Sequence, residues 1–272
     1  MKRIIFSLYR NDLDDHASVP DIKRQQFAKY ADQLENKQRA YADLCGADYK
    51  IFKPNSTDYI DVQFEKLNMF EELGHKYDQV MYLDFDVIPN TTVNIFDKFD
   101  LNTICAFNID VGMNPEIIKH RFRDNFAWDA MDMYSKALNK KAMLLLHDIY
   151  GSESCINTGV LLMNSDCIAN LNFAERSVEA VLTFDESLED SLYMPEMTKS
   201  WALNNEVILS YIIEKDNLPF TNIGMSWNFI VDHNEQQITS AAHFLHVVHK
   251  MVQIVYPPTL RVGYYLHLRP HK

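Results

Sequence analysis

The chain has 272 residues, of which 26 are Lys or Arg and 38 are Asp or Glu, giving a formal net charge of −12. Hydrophobic residues make up 47% and charged residues 24%, a globular composition that excludes a disordered or fibrous chain and suits one α/β domain with a full core. The acidic balance argues against nucleic acid as a partner, because no net positive field draws phosphates in.

Glycine is scarce. The closest two of the seven, Gly151 and Gly159, are too far apart for GxGxxG or GxxxxGK[ST]. Rossmann sites and P-loops need such glycines to bring backbone N–H groups onto phosphate, so both are excluded in their usual forms. The four cysteines, Cys45, Cys105, Cys155 and Cys167, form no CxxC pair and sit mostly in apolar runs. They read as reduced core thiols of a cytoplasmic protein. The start is too short in apolar residues for a signal peptide, and no apolar run reaches 18 residues, so a soluble chain without a transmembrane segment is expected.

In chain order, 2–9 reads as a first strand and 10–20 as a polar loop. A long helix is expected over 21–44, where Phe27, Tyr30, Ala31 and Leu34 keep helical spacing and Gly46 follows the end. A short strand at 48–53 and a helix at 62–73 come next. Val80 to Leu83 is a continuous apolar run, as in a strand buried on both faces, and it ends in Asp84 and Asp86 before the turn signal Pro89-Asn90. A short helix over 91–98 capped by Thr91 or Thr92, a strand at 102–107, helix within 114–146, a strand at 155–164, helices at 166–183 and 202–213 and a last buried strand at 241–248 complete the pattern. The early β-α-β-α-β order predicts a mostly parallel central sheet flanked by helices, with a less regular second half. Open sheets of this kind bind ligands at the carboxyl ends of their strands.

Asp84 and Asp86 carry the most chemistry. On an extended chain, residues at i and i+2 project to one side. Two close carboxylates repel unless a cation or proton lies between them. Mn²⁺ or Mg²⁺ suits such oxygens together with those of a diphosphate, and would replace the missing glycine loop. The bland alternative is a pair of solvated acids leaving a strand. A haloacid-dehalogenase-like phosphatase also uses DxD after an apolar strand, with the first Asp as nucleophile. Its later acidic motif needs a Gly-Asp dipeptide, which the chain lacks.

Three segments together point to one family. YDQVMYLDFDVIPN resembles the "YD-x-V-x-YLD-x-D" segment of the family-eight glycosyltransferases, the glycogenin and lipopolysaccharide galactosyltransferase group. CINTGVLLMN resembles their "FN-[AS]-G-VLL-[IM]-N" strand, and HFLHVVHK their "HF-x-G-x-x-K" segment. The resemblance runs from Tyr77 to Lys250 in the family's order. It implies a GT-A fold and transfer of a sugar from a nucleoside diphosphate sugar, a UDP-sugar above all, to a hydroxyl acceptor such as a glycan. It implies Asp84, Asp86 and His243 as metal ligands. His246 stands where the family has Gly, and the choice between His243 and His246 stays open. His249 or Lys250 would clamp the diphosphate.

By the same resemblance Lys66 would reach the nucleotide or donor sugar, Ser7 and Tyr9 would lie by the base and uridine, and Asn157 and Gly159 by the donor sugar. For Lys66 a solvated helix charge is the equal alternative, and for Gly159 a bulge. LNNEVILSYI resembles the family's "DQD-x-[LI]-N" helix start, with Glu206 at the last Asp and Asn205 at the Gln. Glu206 is then a general base or a binder of sugar hydroxyls, with Asp110 and Asp148 as further candidates whose plainer fates are caps. Trp227 is a platform for an acceptor sugar or a core residue. Residues 1–110 would form the nucleotide-sugar half and 111–248 the acceptor half. The basic tail 249–272, with Tyr264 and Tyr265, would be a lid. A non-catalytic sugar-nucleotide binder and a nucleotidyltransferase are the other classes; the latter usually carries a Gly-rich loop that LYRNDLDDH lacks.

Overall fold

The computed structural model describes residues 1–10, 21–110, 127–189, 204–230 and 242–247. Its main sheet has six strands: β1 (Arg3–Leu8), β2 (Asp48–Phe52), β3 (Gln79–Leu83), β5 (Ile104–Asp110), β6 (Ser154–Asn164) and β7 (Phe220–Asn222). Their order is β2-β1-β3-β6-β5-β7. All run one way except β6, which is antiparallel to both neighbours. The expected mostly parallel sheet is therefore present, and strands from both halves of the chain share it. A second sheet of three short strands, β4 (Val87–Pro89), β8 (Phe229–Ile230) and β9 (Phe244–His246), lies beyond the end of β3.

The pleat sorts the core. Ile4, Phe6, Val80, Tyr82, Leu161 and Met163 point to one face, where they meet Leu67 and Phe70 of helix α2 (Tyr59–Gly74). Ile5, Met81, Leu83, Val160 and Leu162 point to the other, against Tyr41 and Ala42 of helix α1 (Asp21–Cys45). Period-two alternation with both faces apolar is what a strand covered by helices requires. Each such side chain contributes about 1.5–3 kcal/mol of burial. The first face is completed by α4 (Ser165–Leu171), α5 (Phe173–Glu189) and α6 (Asn205–Lys215). Helix α3 (Ala127–Leu145) packs against α5 and α6.

Three expected elements differ, and three short strands are additional. The single helix over 166–183 is two, broken where Asn172 takes a left-handed φ of 42° and caps α4. The short helix over 91–98 is one 3₁₀ turn, Ile95–Asp97, capped by Asn94 rather than by Thr91 or Thr92. The strand at 241–248 shortens to β9 among its described residues. β4, β7 and β8, of two or three residues each, were not expected. The four cysteines are free and buried. Burial pushes the thiols of Cys105 up to about 11 and of Cys155 and Cys167 up to about 12, so they stay protonated and inert. Among the described residues no helix is long and apolar enough to cross a membrane.

Candidate metal centre

β3 stops at Leu83, and the chain turns at once: the N–H of Val87 donates to the carbonyl of Asp84 at 2.9 Å. Asp84-Phe85-Asp86 is therefore a turn, and the expected extended geometry is corrected. The carboxylates converge because the chain reverses, not because of the pleat. The turn is held from both sides. Asp84 N–H donates to Gly159 O at 2.8 Å. From the α1 side, the amide of Gln38 donates to the carbonyls of Asp84 and Val87 at 2.9 and 2.8 Å. Gln38 Oε1 accepts from Ser7 and Tyr49 hydroxyls at 2.6 and 2.9 Å, so a fully buried amide uses all four of its bonds.

The antiparallel pairing of β4 with β9 places Val87 opposite His246. His246 is thereby set against the turn, and Val247 N–H donates to Asp86 O at 3.0 Å. Its Nε2 lies 3.5 Å from Asp84 Oδ2 and 3.4 Å from Asp86 Oδ1. One ligand atom from each of the three residues lies within 4.8 Å of the others. Neighbouring ligands of an octahedral divalent ion with bonds of about 2.1 Å stand about 3 Å apart. Two carboxylates and an imidazole at these separations fit such an ion in distance and in donor type.

His243 does not join them. It lies just before β9, whose three residues end at His246. Its Nδ1 is hydrogen-bonded to Thr91 Oγ1 at 3.0 Å, and its ring stacks on Trp227 at 4.2 Å. The histidine beside the carboxylates is His246, which corrects the expectation for His243. Trp227, packed also on Phe99 and Phe244, is a buried core residue and not an acceptor platform.

Lys66 comes in from α2. It is buried, with its Nζ 3.6 Å from Asp84 Oδ1 and 4.9 Å from the centre of the Tyr82 ring. The Tyr82 hydroxyl donates to the same Oδ1 at 2.6 Å. A solvated helix charge is thus excluded for Lys66. Tyr9 stacks on Phe85 at 4.1 Å, with Phe27 at its edge. The hydroxyl of Ser7 is fully buried and donates to Gln38, so its side chain braces the turn and does not touch a nucleotide.

On β6, the register with β5 jumps between Ala106 and Phe107, which pair with Leu161 and Asn157. The skipped residues 158–160 form an irregularity, the bulge alternative at Gly159. The close approach that Gly159 permits is that of His246, whose Cε1 and Nδ1 lie 2.3 and 2.6 Å from where a Cβ would stand. Asn157 is buried. Its amide nitrogen donates to Glu206 Oε1 at 2.9 Å, and its Oδ1 accepts from Asn228 and from Gly159 N–H at 2.7 and 3.0 Å.

Glu206, in the first turn of α6, is buried with both oxygens occupied. Oε2 accepts from Lys136 at 2.7 Å, and Oε1 accepts from Asn157 and from Thr158 N–H. Burial pushes its pKa up, but the Lys136 ammonium, the more distant Lys66 charge and the Thr158 N–H outweigh it and hold the group below the ordinary carboxylate range. A depressed carboxylate with no free lone pair facing solvent is a poor general base. That expectation is corrected: Glu206 anchors Asn157. Neighbouring Asn205 donates to Thr158 Oγ1 at 3.1 Å, while its Oδ1 is buried without a hydrogen-bond partner among the described residues.

Asp110 ends β5 opposite Ser154; its side chain lies outside the described residues, as do His249, Lys250 and the tail with Tyr264 and Tyr265. Asp148 is exposed in a left-handed turn after α3 at φ 57°. Gln38 and Asn228 were missed by sequence reasoning. The signal for Gln38 was available: it falls on the apolar stripe Tyr30, Leu34, Tyr41 and Cys45 of α1.

No family model matches the chain, and no curated protein matches it. Among solved structures it is similar to a glycosyltransferase involved in the glycosylation of the major capsid of PBCV-1, with 16% identity, 91% of this chain and 94% of that one covered, and a TM-score of 0.49. It is similar to the galactosyltransferase LgtC, solved in complex with donor and acceptor sugar analogs, at 14% identity, 90% and 86% coverage and a TM-score of 0.44. It is also similar to mouse xyloside xylosyltransferase 1, at 10% identity, 91% and 98% coverage and a TM-score of 0.42.

Proposed function

We propose that the chain is a metal-dependent glycosyltransferase that moves a sugar from a nucleoside diphosphate sugar, a UDP-sugar, to a hydroxyl acceptor such as a glycan. The observation that carries this reading is the meeting of Asp84, Asp86 and His246 at the end of β3, within a segment whose sequence resembles the family-eight transferases. Two carboxylates this close to one another and to an imidazole nitrogen favour a cation among them.

Asp84, Asp86 and His246 would hold Mn²⁺ or Mg²⁺. When bound, the ion supplies positive charge to the departing diphosphate, as a Lewis acid does. Lys66 adds a fixed cation at the same strand end. Tyr9, part-exposed and braced by Phe85, offers an aromatic surface for the base. His249 and Lys250 are assigned to the diphosphate by sequence resemblance alone, as are the division at 110 and the lid role of 249–272. With Glu206 committed to Lys136, any general base for the acceptor hydroxyl would come from elsewhere, Asp110 and Asp148 being the remaining acidic candidates of the sequence.

Calorimetry of UDP with and without Mn²⁺ tests the site. The expected result is binding that requires the ion and is lost in Asp86→Ala. Binding that is indifferent to the ion overturns the reading. Turnover of a UDP-sugar panel in Mn²⁺ then separates a transferase from a non-catalytic binder.

A further inference from the structure

His246 reaches the carboxylates through one ring nitrogen and is held by the other. Its Nδ1 lies 2.9 Å from Asn228 Oδ1. A ring nitrogen ligates a metal only when it carries a lone pair, and its partner's hydrogen bond decides which nitrogen that is. The orientation of Asn228 is therefore decisive. It can be read from fixed donors and acceptors that end in backbone and charge.

The chain of bonds starts at Glu206. Its Oε2 takes Lys136 and its Oε1 takes Thr158 N–H, both donors that cannot be reversed. Being a carboxylate, Oε1 can only accept from Asn157, so the Asn157 NH₂ must face it. Asn157 Oδ1 then faces Gly159 N–H, a backbone donor that also cannot be reversed, and the Asn228 NH₂. Rotating Asn157 by half a turn would set oxygen against Glu206 Oε1 and NH₂ against Gly159 N–H, so both ends forbid it. With its NH₂ spent on Asn157, Asn228 has only its oxygen for the imidazole. All four residues are buried, where a mismatched pair costs about 1–3 kcal/mol.

We propose that the Glu206–Asn157–Asn228 chain fixes the neutral ring of His246 with its proton on Nδ1, so that Nε2 faces Asp84 and Asp86 as a bare lone pair. Asn228, Asn157 and Glu206 are then positioning residues, acting on the ion through His246. The site they prepare consists of acceptors: two carboxylates and one unprotonated nitrogen. Its tuning of metal affinity rests on the metal reading above, but the position of the ring proton does not.

The decisive measurement is a long-range ¹H–¹⁵N spectrum of metal-free, ¹⁵N-labelled protein, followed upward in pH until the His246 ring carries a single proton, with the His246 signals identified by their loss in His246→Gln. The expected pattern is a protonated Nδ1 and an unprotonated Nε2. A proton found on Nε2 overturns the proposal. Two variants add an affinity readout with Mn²⁺ followed by electron paramagnetic resonance. Asn228→Leu removes the acceptor and should weaken Mn²⁺ about 10–100-fold. Asn228→Asp keeps an acceptor for Nδ1–H while losing the donor to Asn157, and should bind within about threefold of the original protein. If Asn228 serves only packing, both variants lose affinity alike, and the proposal fails. If the unaltered protein takes up no Mn²⁺, the metal reading fails while the spectrum still decides the ring proton.

Discussion

Gly159 lies against the imidazole of His246, with no room between them for a methyl group. The two residues come from β6 and β9, in different sheets, and meet because β6 departs from its register with β5 just where β3 ends. Gly159 O also takes the Asp84 N–H, so one residue borders both a carboxylate bearer and the histidine. Gly159→Ala should push the ring off its bond with Asn228. The expected cost is about 1–3 kcal/mol in stability from overpacking and about 10–100-fold in Mn²⁺ affinity, measured by urea unfolding and by calorimetry. Unchanged Mn²⁺ affinity would show that the ring position there does not matter to the ion.

His243 and His246 give a sharper contrast. His246→Ala removes a ligand atom from the carboxylate cluster, whereas His243→Ala removes a ring stacked on Trp227. Mn²⁺ titrations should show a loss of more than about tenfold for the first and little change for the second. For His243→Ala the effect should fall on thermal stability, with a loss of about 1–2 kcal/mol from the ring contact and the Thr91 hydrogen bond. The reverse order would restore the assignment that sequence resemblance favours.

Gln38 links the first helix to the turn. Replacing it by Leu removes both donors to the Asp84 and Val87 carbonyls and the acceptor for Ser7 and Tyr49. Since an unsatisfied buried polar group costs about 1–3 kcal/mol, Gln38→Leu should destabilise by about 2–4 kcal/mol in denaturant unfolding. Mn²⁺ affinity should fall with it, since the turn that sets the carboxylates loses its brace. Full stability in Gln38→Leu would mean that the turn holds itself.

How much of this was legible follows from the range of each interaction. The buried strands were readable because Ile4 to Leu8, Val80 to Leu83 and Ile156 to Met163 announce themselves locally through composition and period. The pairing of Asp84 with Asp86 stood out from the DxD spacing after an apolar run. β4, β7 and β8 are too short to carry a period. His246 was not separable from His243, because the choice depends on the pairing of Val87 with His246 between distant segments, and a strand register is written in no short window. The break at Asn172 carries neither Gly nor Pro. The fate of Glu206 was hidden for the same reason as His246: Lys136, its counter-charge, sits on another helix far away in sequence.

That buried pair has a definite pH signature. Glu206 is held below the ordinary carboxylate range, with burial opposing and Lys136 leading the causes that prevail. A carboxylate depressed in the folded state contributes stability that is present above its unfolded pKa of about 4.3 and is lost as pH falls through the lower folded value. The unaltered protein should therefore lose stability from about pH 4.3 downward through this group. Lys136→Met should reverse the sign. It leaves a buried carboxylate without its main counter-charge, at a cost of about 3–5 kcal/mol at neutral pH, and moves the folded pKa upward. A raised carboxylate pKa means that the folded state binds the proton more tightly than the unfolded one. The variant should then regain part of its stability as pH falls from 7 toward 5, over a range where the unaltered pair is flat. Urea unfolding at closely spaced pH values reads both slopes, and parallel curves for the two proteins would remove Lys136 as the charge that governs Glu206.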